Sequence, residues 1–214
     1  ISKKIRMKKK LKTIFKFDNK IVIITGASGL LGKKHAEAVA SYGGTPILLD
    51  LNTLELNNLT DKLNKKYNVN AMGFKVDITD EKAIKDNVKI LVDKFGKIDS
   101  LVNNAANNPK VEEINNINFS RLENFPLDVW NQDIAVSLTG SFLCSKHYGY
   151  QISKNPNGGS IINISSDLGL IAPDQRLYAK DGIEQHKQNV KPVSYSVVKT
   201  GLIGLTRYMS TYWA

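Results

Sequence analysis

Cysteine is scarce in this sequence, because Cys144 is the single thiol among 214 residues. One thiol cannot form an internal disulfide, so a fold held together by disulfides is excluded, and the composition is typical of a reducing compartment. We therefore expect a cytoplasmic protein. Cys144 lies in an apolar helical stretch, where we expect a small core residue rather than a nucleophile.

Long apolar runs are also missing. No stretch is apolar over the roughly 20 residues that a transmembrane helix needs, and the N-terminal stretch carries too many charges for a secretory signal. The three histidines, His35, His147 and His186, lack the spacing of metal ligands. We therefore expect neither a membrane partner nor a metal site.

Acidic residues are absent from residues 1–17, which we interpret as a basic, solvated tail. This tail carries eight basic side chains, Lys3, Lys4, Arg6, Lys8, Lys9, Lys10, Lys12 and Lys16, while the rest of the chain has 22 basic and 20 acidic residues. A nearly balanced body gives no reason to expect a nucleic-acid partner. Nucleic-acid binding through the tail stays an alternative, and it predicts binding that depends steeply on salt.

Short β-branched runs alternate with longer stretches of helical period, which predicts a parallel sheet buried on both faces. The predicted fold class is α/β: a doubly wound, Rossmann-like sheet in three α/β/α layers, in one domain over residues 18–214. Strands are predicted at 21–25, 46–50, 71–76, 98–103 and 160–165. Helices are predicted at 30–42, 54–67, 81–95, 127–153 and from 195 onward.

Two long stretches, 107–125 and 167–193, interrupt this alternation. Each follows the carboxyl end of a predicted strand, where ligands bind in open α/β sheets, so we expect substrate contacts there. A tolerated surface insertion is the alternative.

The first predicted strand runs into a glycine-rich turn, Thr25-Gly26-Ala27-Ser28-Gly29-Leu30-Leu31-Gly32. Gly26 can make the tight turn, Gly29 lets the backbone approach a pyrophosphate, and Gly32 lets helix and strand pack closely. The helix that follows offers free N–H groups to phosphates. Because the turn lies between a strand and a helix, it predicts dinucleotide binding, with Thr25, Ser28 and Leu31 also in the site.

The second predicted strand ends at Asp50, 24 residues past Gly26. A carboxylate there can accept hydrogen bonds from both adenosine ribose hydroxyls and would repel a 2′-phosphate, so the sequence favours NAD over NADP. A plain turn residue is the alternative role. Asp77 and Ile78 follow the third predicted strand, where Asp77 is placed to meet the adenine edge.

Four motifs occur in the order typical of one family: the glycine-rich turn, Asn103-Asn104-Ala105-Ala106, Ile164-Ser165-Ser166 and Tyr195-Ser196-Val197-Val198-Lys199. From about Lys20 onward the chain resembles the short-chain dehydrogenase/reductase family. The glycine spacing resembles the extended branch, whereas the Asn-Asn-Ala-Ala run and the length resemble the single-domain branch, which we follow. The resemblance implies an NAD(P)-dependent oxidoreductase for a secondary alcohol or ketone, with Asn103 and Ala105 in the cofactor site.

Tyr195 and Lys199 are four residues apart and so share one helix face, where the Lys199 ammonium can stabilise the ionised Tyr195 phenol. By the resemblance, Tyr195 donates or removes the proton, Lys199 also holds the nicotinamide ribose, and Ser166 hydrogen-bonds the reacting oxygen. Ser165 is the near alternative, although family spacing favours Ser166.

Two other tyrosines compete for the catalytic assignment. Tyr150 and Lys154 have the same spacing but precede the serine motif, and we interpret them as surface residues. Tyr178 lies 12 residues beyond Ser166, close to the family's serine-to-tyrosine separation, but position 182 is Gly rather than Lys. We interpret Tyr178 as a loop residue, with contact to the substrate as a further role.

One position departs from the family pattern. Where the family usually has Val-Asn-Leu-x-Gly, this chain reads Val136-Ser137-Leu138-Thr139-Gly140. The resemblance implies that Ser137 takes the place of the asparagine that holds a water in the proton relay from Lys199. A serine is shorter and would hold that water less firmly.

The resemblance also bears on substrate and assembly. The segment 173–178, Pro-Asp-Gln-Arg-Leu-Tyr, looks like that of relatives associated with bacterial surface-sugar modification, so a sugar derivative is one candidate substrate. Family members usually continue well past the last helix. We therefore expect this chain to lack their C-terminal part, and we expect a homo-oligomer in the full-length form. A non-catalytic dinucleotide sensor is the alternative function, and the Tyr195–Lys199 pair argues against it.

Overall fold

The computed structural model describes residues 15–107 and 120–214, and the strands within them form one parallel sheet. The strands are β1 (Ile21–Thr25), β2 (Thr45–Asp50), β3 (Met72–Lys75), β4 (Ser100–Asn103) and β5 (Ser160–Asn163), in the order β3-β2-β1-β4-β5. In the centre, Ile23 of β1 lies opposite Ile47 of β2 and Leu101 of β4. The carboxyl ends of β1, β2 and β4 therefore lie at the same edge of the sheet.

Helices connect and flank these strands. They are α1 (Leu30–Ser41), α2 (Thr53–Tyr67), α3 (Glu81–Phe95), α4 (Leu127–Asp133), α5 (Gly140–Cys144), α6 (Tyr150–Ser153) and α7 (Val193–Tyr212). Two π-helical segments, Ile134–Thr139 and Ser145–Gly149, join α4, α5 and α6, so residues 127–153 are helical throughout, as predicted. The predicted three-layer α/β/α fold is confirmed.

Burial and capping explain why these elements form. Every residue of β1 is buried, which matches its continuous apolar run. The Asp80 carboxylate accepts hydrogen bonds from the Lys82 and Ala83 N–H groups and so begins α3. Gly96 ends α3 with a φ of 71°, a left-handed conformation that glycine adopts without strain.

The packing divides the chain into two compact units. The first comprises the described residues up to Ala105 together with Leu143–Ile162, and the second comprises Ala106–Phe142 and Asn163–Ala214, as far as these are described. Both fall within the predicted single domain 18–214, and that domain assignment stays a prediction. Within the second unit, 3₁₀ turns at Asp167–Gly169, Gln175–Tyr178 and Gln185–Lys187 punctuate the predicted loop 167–193.

Some predictions concern residues outside the described ranges. Most of the basic tail, residues 1–14, and most of the first predicted substrate stretch, residues 108–119, lie outside the described residues. Within the described residues, no helix is long and apolar enough to cross a membrane. The same residues contain no group of three or more histidine, cysteine, aspartate or glutamate side chains that could hold a metal ion.

Candidate active site

The glycine-rich turn forms a tight cradle in the first unit. Gly26 has a φ of 60°, and a Cβ built there would lie 2.8 Å from the Ala105 Cα. A Cβ at Gly32 would overlap the Gly26 carbonyl oxygen, so α1 packs directly on the turn. The N-cap of α1 is Gly29, which makes no side-chain cap, so the first N–H groups of the helix are available to a phosphate. These features fit a dinucleotide.

Asn104 holds this turn in place, a role that the sequence analysis did not assign. Its side-chain amide donates hydrogen bonds to the Thr25 and Gly26 carbonyl oxygens at 3.0 and 3.1 Å. The Thr25 hydroxyl accepts in return from the Asn104 and Ala105 N–H groups, each at 3.0 Å. Asn104 is the second residue of the Asn-Asn-Ala-Ala motif, and its proximity to the turn follows from the pairing of β4 with β1.

The Asn103 side chain contacts a helical segment rather than the glycine-rich turn. Its side chain is buried, and its amide donates to the Ser145 hydroxyl at 3.0 Å. Its predicted contact with the cofactor would therefore have to come from its backbone. Ala105 remains part of the cradle through the close approach of its Cα to Gly26.

The Asp50 carboxylate is half-buried at the end of β2. It accepts hydrogen bonds from the N–H groups of Ser28 at 3.0 Å, Leu51 at 2.8 Å and Asn52 at 3.1 Å. Two carboxylate oxygens offer about four lone-pair positions, so one more hydroxyl can be accepted. Asp50 thus braces the glycine-rich turn at Ser28, and both of its predicted roles, ribose binding and turn formation, stay open.

The remaining predicted cofactor residues differ in exposure. Asp77 is exposed and accepts hydrogen bonds from the N–H and hydroxyl of Thr79 at 2.8 and 2.7 Å, while Ile78 is buried. Leu31, in the first turn of α1, is 52% exposed and so is available for contact.

The second unit holds the predicted catalytic residues, with Tyr195 and Lys199 in the first turns of α7. Lys199 is 6% exposed, and its ammonium donates to the Ile164 carbonyl oxygen at 2.7 Å and lies 5.6 Å from the centre of the Tyr195 ring. Burial lowers the pKa of Lys199, and the nearby charge of Lys191 lowers it further. Among the described residues, the Tyr195 hydroxyl has no hydrogen-bond partner, which leaves it available to a ligand.

The two serines of the Ile-Ser-Ser motif make different contacts. The Ser165 hydroxyl donates to the Lys199 carbonyl oxygen at 2.8 Å. The Ser166 hydroxyl donates to Asp167 at 2.7 Å and accepts from the Leu168 N–H at 3.2 Å, which begins a 3₁₀ turn. The hydrogen bond from Ser166 lowers the pKa of the Asp167 carboxyl. Ser165 thus anchors α7, and the catalytic assignment of Ser166 stays a prediction.

Ser137 lies in the π-helical segment Ile134–Thr139 and is buried. Its hydroxyl has no hydrogen-bond partner in the described part of the chain. A Cβ at Gly201 would lie 2.9 Å from Leu138, so α7 packs closely on this segment. A buried hydroxyl without a partner is suited to hold a water, and π-helical turns are frequent at functional sites.

Asp133 and Ser194 are positioning residues that sequence reasoning missed. The Asp133 carboxylate is buried, accepts the hydroxyl of Ser194 and also accepts the Asn107 side-chain amide at 2.8 Å. Ser194 directly precedes Tyr195, so this network fixes the start of α7. In the sequence, the only indication of this network is the polar residue Ser194 directly before the Tyr-x-x-x-Lys pattern.

The competing tyrosines lie in other surroundings. Tyr150 is 54% exposed, and the Lys154 ammonium lies 4.0 Å from its ring centre, which is consistent with a surface pair. Tyr178 ends the 3₁₀ turn Gln175–Tyr178 in the long loop.

The sequence pattern of the short chain dehydrogenase family matches residues 20–179, and the chain belongs to this family. An uncharacterized oxidoreductase of Bacillus subtilis is 31% identical over 93% of this chain and 63% of its own length. A trans-4-hydroxycyclohexanecarboxylate dehydrogenase of Sinomonas cyclohexanicum is 31% identical over 88% of this chain and 64% of its own length. The chain thus spans less than two thirds of the length of these relatives.

A solved structure supports the same assignment. The crystal structure of an NAD⁺-bound xylitol dehydrogenase matches with a TM-score of 0.77 and 26% identity, covering 93% of this chain and 66% of the other.

Proposed function

We propose that this protein transfers hydride between a nicotinamide cofactor and a secondary alcohol or ketone. The observation that carries the proposal is the Tyr195–Lys199 pair on α7, in which the Lys199 ammonium is buried and directed by the Ile164 carbonyl oxygen. A protein that only sensed dinucleotides would need the glycine-rich cradle but not this pair. The family to which the chain belongs supports the same activity.

The chain's own residues would hold the cofactor at its adenosine end. The N–H groups at the start of α1, which follow the cradle of Gly26, Gly29 and Gly32 and have no side-chain cap, would bind a pyrophosphate. The half-buried Asp50 carboxylate would accept a ribose hydroxyl. A 2′-phosphate would be repelled by the same carboxylate. We therefore propose NAD as the preferred cofactor, in keeping with the ligand named for the xylitol dehydrogenase structure.

Proton transfer would belong to Tyr195. When bound, the nicotinamide ring accepts or gives up the hydride. Tyr195 would take the proton from the substrate hydroxyl during oxidation and return it during reduction, while the Lys199 charge favours the ionised phenol. Ser166 would hydrogen-bond the reacting oxygen, and Ser137 would hold a water that connects Lys199 with solvent.

The names of relatives support a proposal for the substrate class. A relative is named for trans-4-hydroxycyclohexanecarboxylate and a structural neighbour for xylitol, and both compounds carry secondary hydroxyl groups. We propose a secondary alcohol or polyol, with a sugar derivative among the candidates. Homo-oligomer formation and the absence of nucleic-acid and membrane partners belong to the same proposal.

An assay of hydride transfer tests the function. The protein is incubated with NAD or NADP and a panel of cyclic alcohols, polyols and sugar derivatives, while NADH or NADPH is followed by absorbance. We expect NAD-dependent oxidation of at least one secondary alcohol. Saturable NADH binding by fluorescence, without turnover of any alcohol or of the matching ketones, would instead support the sensor alternative.

A further inference from the structure

A pocket of about 380 Å³ lies in the second unit. It is lined by residues 120–123, by Pro173 and Gln175, and by residues on both sides of Tyr195, from 190–193 and 196–197. We name it the Lys191 pocket after the half-buried lysine in its wall. Tyr195 is not itself among the lining residues, but Lys191 links the pocket to it through the contact described next.

Lys191 brings a second cation to Tyr195. Its ammonium lies 3.8 Å from the centre of the Tyr195 ring, closer than the Lys199 ammonium at 5.6 Å. The lysine is therefore near enough to touch a substituent next to the reacting carbon.

The backbone around Lys191 is held in place. The Val190 N–H donates to the Ser120 hydroxyl at 3.0 Å, and the Lys191 N–H donates to the Gln175 side-chain oxygen at 2.8 Å. A cation that is positioned before its ligand arrives loses less conformational entropy when it binds.

The charges that line the pocket do not balance. Arg121 is paired with Glu123 at 2.5 Å and also donates to the Gln185 carbonyl oxygen. Lys191 has no carboxylate partner among the described residues, so the lining carries one uncompensated positive charge. The hydroxyl oxygen of Ser196, another lining residue, is buried and has no hydrogen-bond partner in the described chain.

Without an anion nearby, the positive charges of Lys191 and Lys199 are electrostatically unfavourable. Burial lowers the pKa of Lys191, and the charge of Lys191 contributes to the lowered pKa of Lys199, so the two ammonium groups repel each other. A negatively charged group in the pocket would relieve both effects, and it could also accept a hydrogen bond from Ser196.

We infer that the Lys191 pocket is a substrate subsite for an anionic group, a carboxylate or a phosphate, carried by the alcohol or ketone. The inference rests on the proposed hydride transfer and narrows its substrate class. Lys191 pairs with the anion and thereby sets specificity, while Tyr195 and Lys199 act on the reacting oxygen.

Paired probes that differ in charge test this inference. The ratio kcat/KM is measured for 3-hydroxybutyrate against 3-hydroxybutanamide, and for glycerol 3-phosphate against glycerol. We expect a preference of about tenfold or more for the anionic member of at least one pair, the size typical of a charge-assisted hydrogen bond. The pair that shows the stronger preference for its anionic member identifies the preferred group as a carboxylate or a phosphate. Equal values within both pairs would overturn the inference.

Three variants assign the preference to one side chain. Lys191→Met should lower kcat/KM for the preferred anion by about 10- to 100-fold more than for the neutral member of the same pair, chiefly through KM. Lys191→Arg should keep most of the preference. Lys180→Met makes the same charge change on an exposed lysine of the same loop, and it should match the wild type. A preference that survives Lys191→Met contradicts the inference.

A labelling experiment is independent of turnover. Lysines are acetylated with acetic anhydride in sodium phosphate, sodium acetate or sodium chloride at equal ionic strength, and rates are read by peptide mass spectrometry. We expect phosphate or acetate to slow acetylation of Lys191 but not of Lys180. If neither these probes nor any alcohol or ketone of the panel is turned over, the hydride-transfer proposal fails. The labelling experiment still tests the subsite: protection of Lys191 supports it, and equal rates in all three salts refute it.

Discussion

The Lys199 side chain shows how a single predicted catalytic residue is held in place in this protein. Its ammonium is buried and directed by the Ile164 carbonyl oxygen, while its own carbonyl oxygen accepts the Ser165 hydroxyl. The segment that carries the serine pair therefore orients the cation as well. Tyr195 lies one turn earlier on the same helix, so its hydroxyl can be removed without removing the charge beside it.

We expect Tyr195→Phe to lower kcat by about 100-fold or more, since general acid–base catalysis contributes at least that much. The affinity for NADH should stay within about threefold, because only the hydroxyl is lost. Steady-state kinetics and NADH fluorescence titration measure the two effects. Tyr150→Phe, the same change at an exposed surface tyrosine, is the control and should retain activity. Full activity of Tyr195→Phe would refute the catalytic assignment.

We expect Asp50→Asn to shift the ratio of NADP to NAD affinity by about tenfold or more toward NADP, because a like-charge repulsion is removed. Asparagine keeps one side-chain oxygen for the Ser28 N–H, so the glycine-rich turn should persist. Its amide replaces the oxygen that accepts the exposed Leu51 and Asn52 N–H groups, which can bond to water instead. Fluorescence titration with NADH and NADPH gives the ratio. Asp61→Asn, an exposed carboxylate on α2, should leave it unchanged. A wild type that already prefers NADPH would show that the ribose argument is wrong.

At the scale of elements, the start of α1 depends on its contact with the glycine-rich turn. The helix approaches so closely that Gly32 has no room for a side chain, while a Cβ added at Gly204 on α7 would meet no atom within 4 Å. The same substitution at these two glycines therefore has opposite consequences.

We expect Gly32→Ala to lower the free energy of unfolding by about 1–3 kcal/mol, through overpacking against Gly26 and Ala27, and to weaken NADH binding. Gly204→Ala should instead raise the free energy of unfolding by up to about 1 kcal/mol, since alanine is the better helix former and meets no clash. Urea unfolding compares the two variants. A Gly32→Ala protein as stable as the wild type would contradict the packing argument.

Asp99, just before β4, ties the start of that strand to the start of β1. Its carboxylate is buried and accepts hydrogen bonds from the Ile21 N–H at 2.9 Å, Lys20 at 2.9 Å and Lys97 at 3.1 Å. Burial alone would raise the pKa of Asp99, but these three partners outweigh it, and the pKa is lowered overall from its ordinary value of 3.8.

A lowered carboxyl pKa stabilises the folded state above the ordinary value, and the contribution is lost as pH falls through the lowered one. We therefore expect Asp99→Asn to reduce the free energy of unfolding by about 1–3 kcal/mol at neutral pH, and the difference from wild type to shrink below about pH 4. Urea unfolding across pH measures this trend. As a control, Asp93→Asn removes an exposed carboxylate on α3, and its free energy of unfolding should differ from the wild type by a small amount that does not change with pH. If the difference for Asp99→Asn also does not change with pH, the stabilising role of the ionised Asp99 carboxylate is refuted.

At the scale of the whole molecule, charge is distributed unevenly along the sequence. The excess of positive charge belongs to residues 1–17, and the remaining 22 basic and 20 acidic residues nearly balance. The sheet order β3-β2-β1-β4-β5 brings the glycine-rich turn, Asp50 and Asn104 to one edge through the parallel pairing of β1 with β2 and β4. Family membership follows from both the chain order of these motifs and the fold.

The elements that the sequence predicted are those with strong local patterns. The bounds of β1 and α3 match the prediction residue for residue, because a continuous apolar run and an Asp80-to-Gly96 capping pair leave little choice. The predicted strand 98–103 is shorter in the structure, where Asp99 serves as a hydrogen-bond acceptor ahead of β4. The residues next to a single acidic side chain in an apolar run do not indicate which hydrogen-bond donors it will contact in the fold.

The sequence by itself determined the order of the elements, the glycine-rich turn and the spacing of Tyr195 and Lys199, because helix and strand periods and glycine conformations act over a few residues. The tertiary structure alone decided that Asn104 clamps the turn, that Ser165 anchors α7 and that Lys191 lies against Tyr195. The first two contacts join residues 79 and 34 apart in the chain, and the third depends on the path of a long loop. Such contacts follow from strand order and packing, which no local pattern encodes.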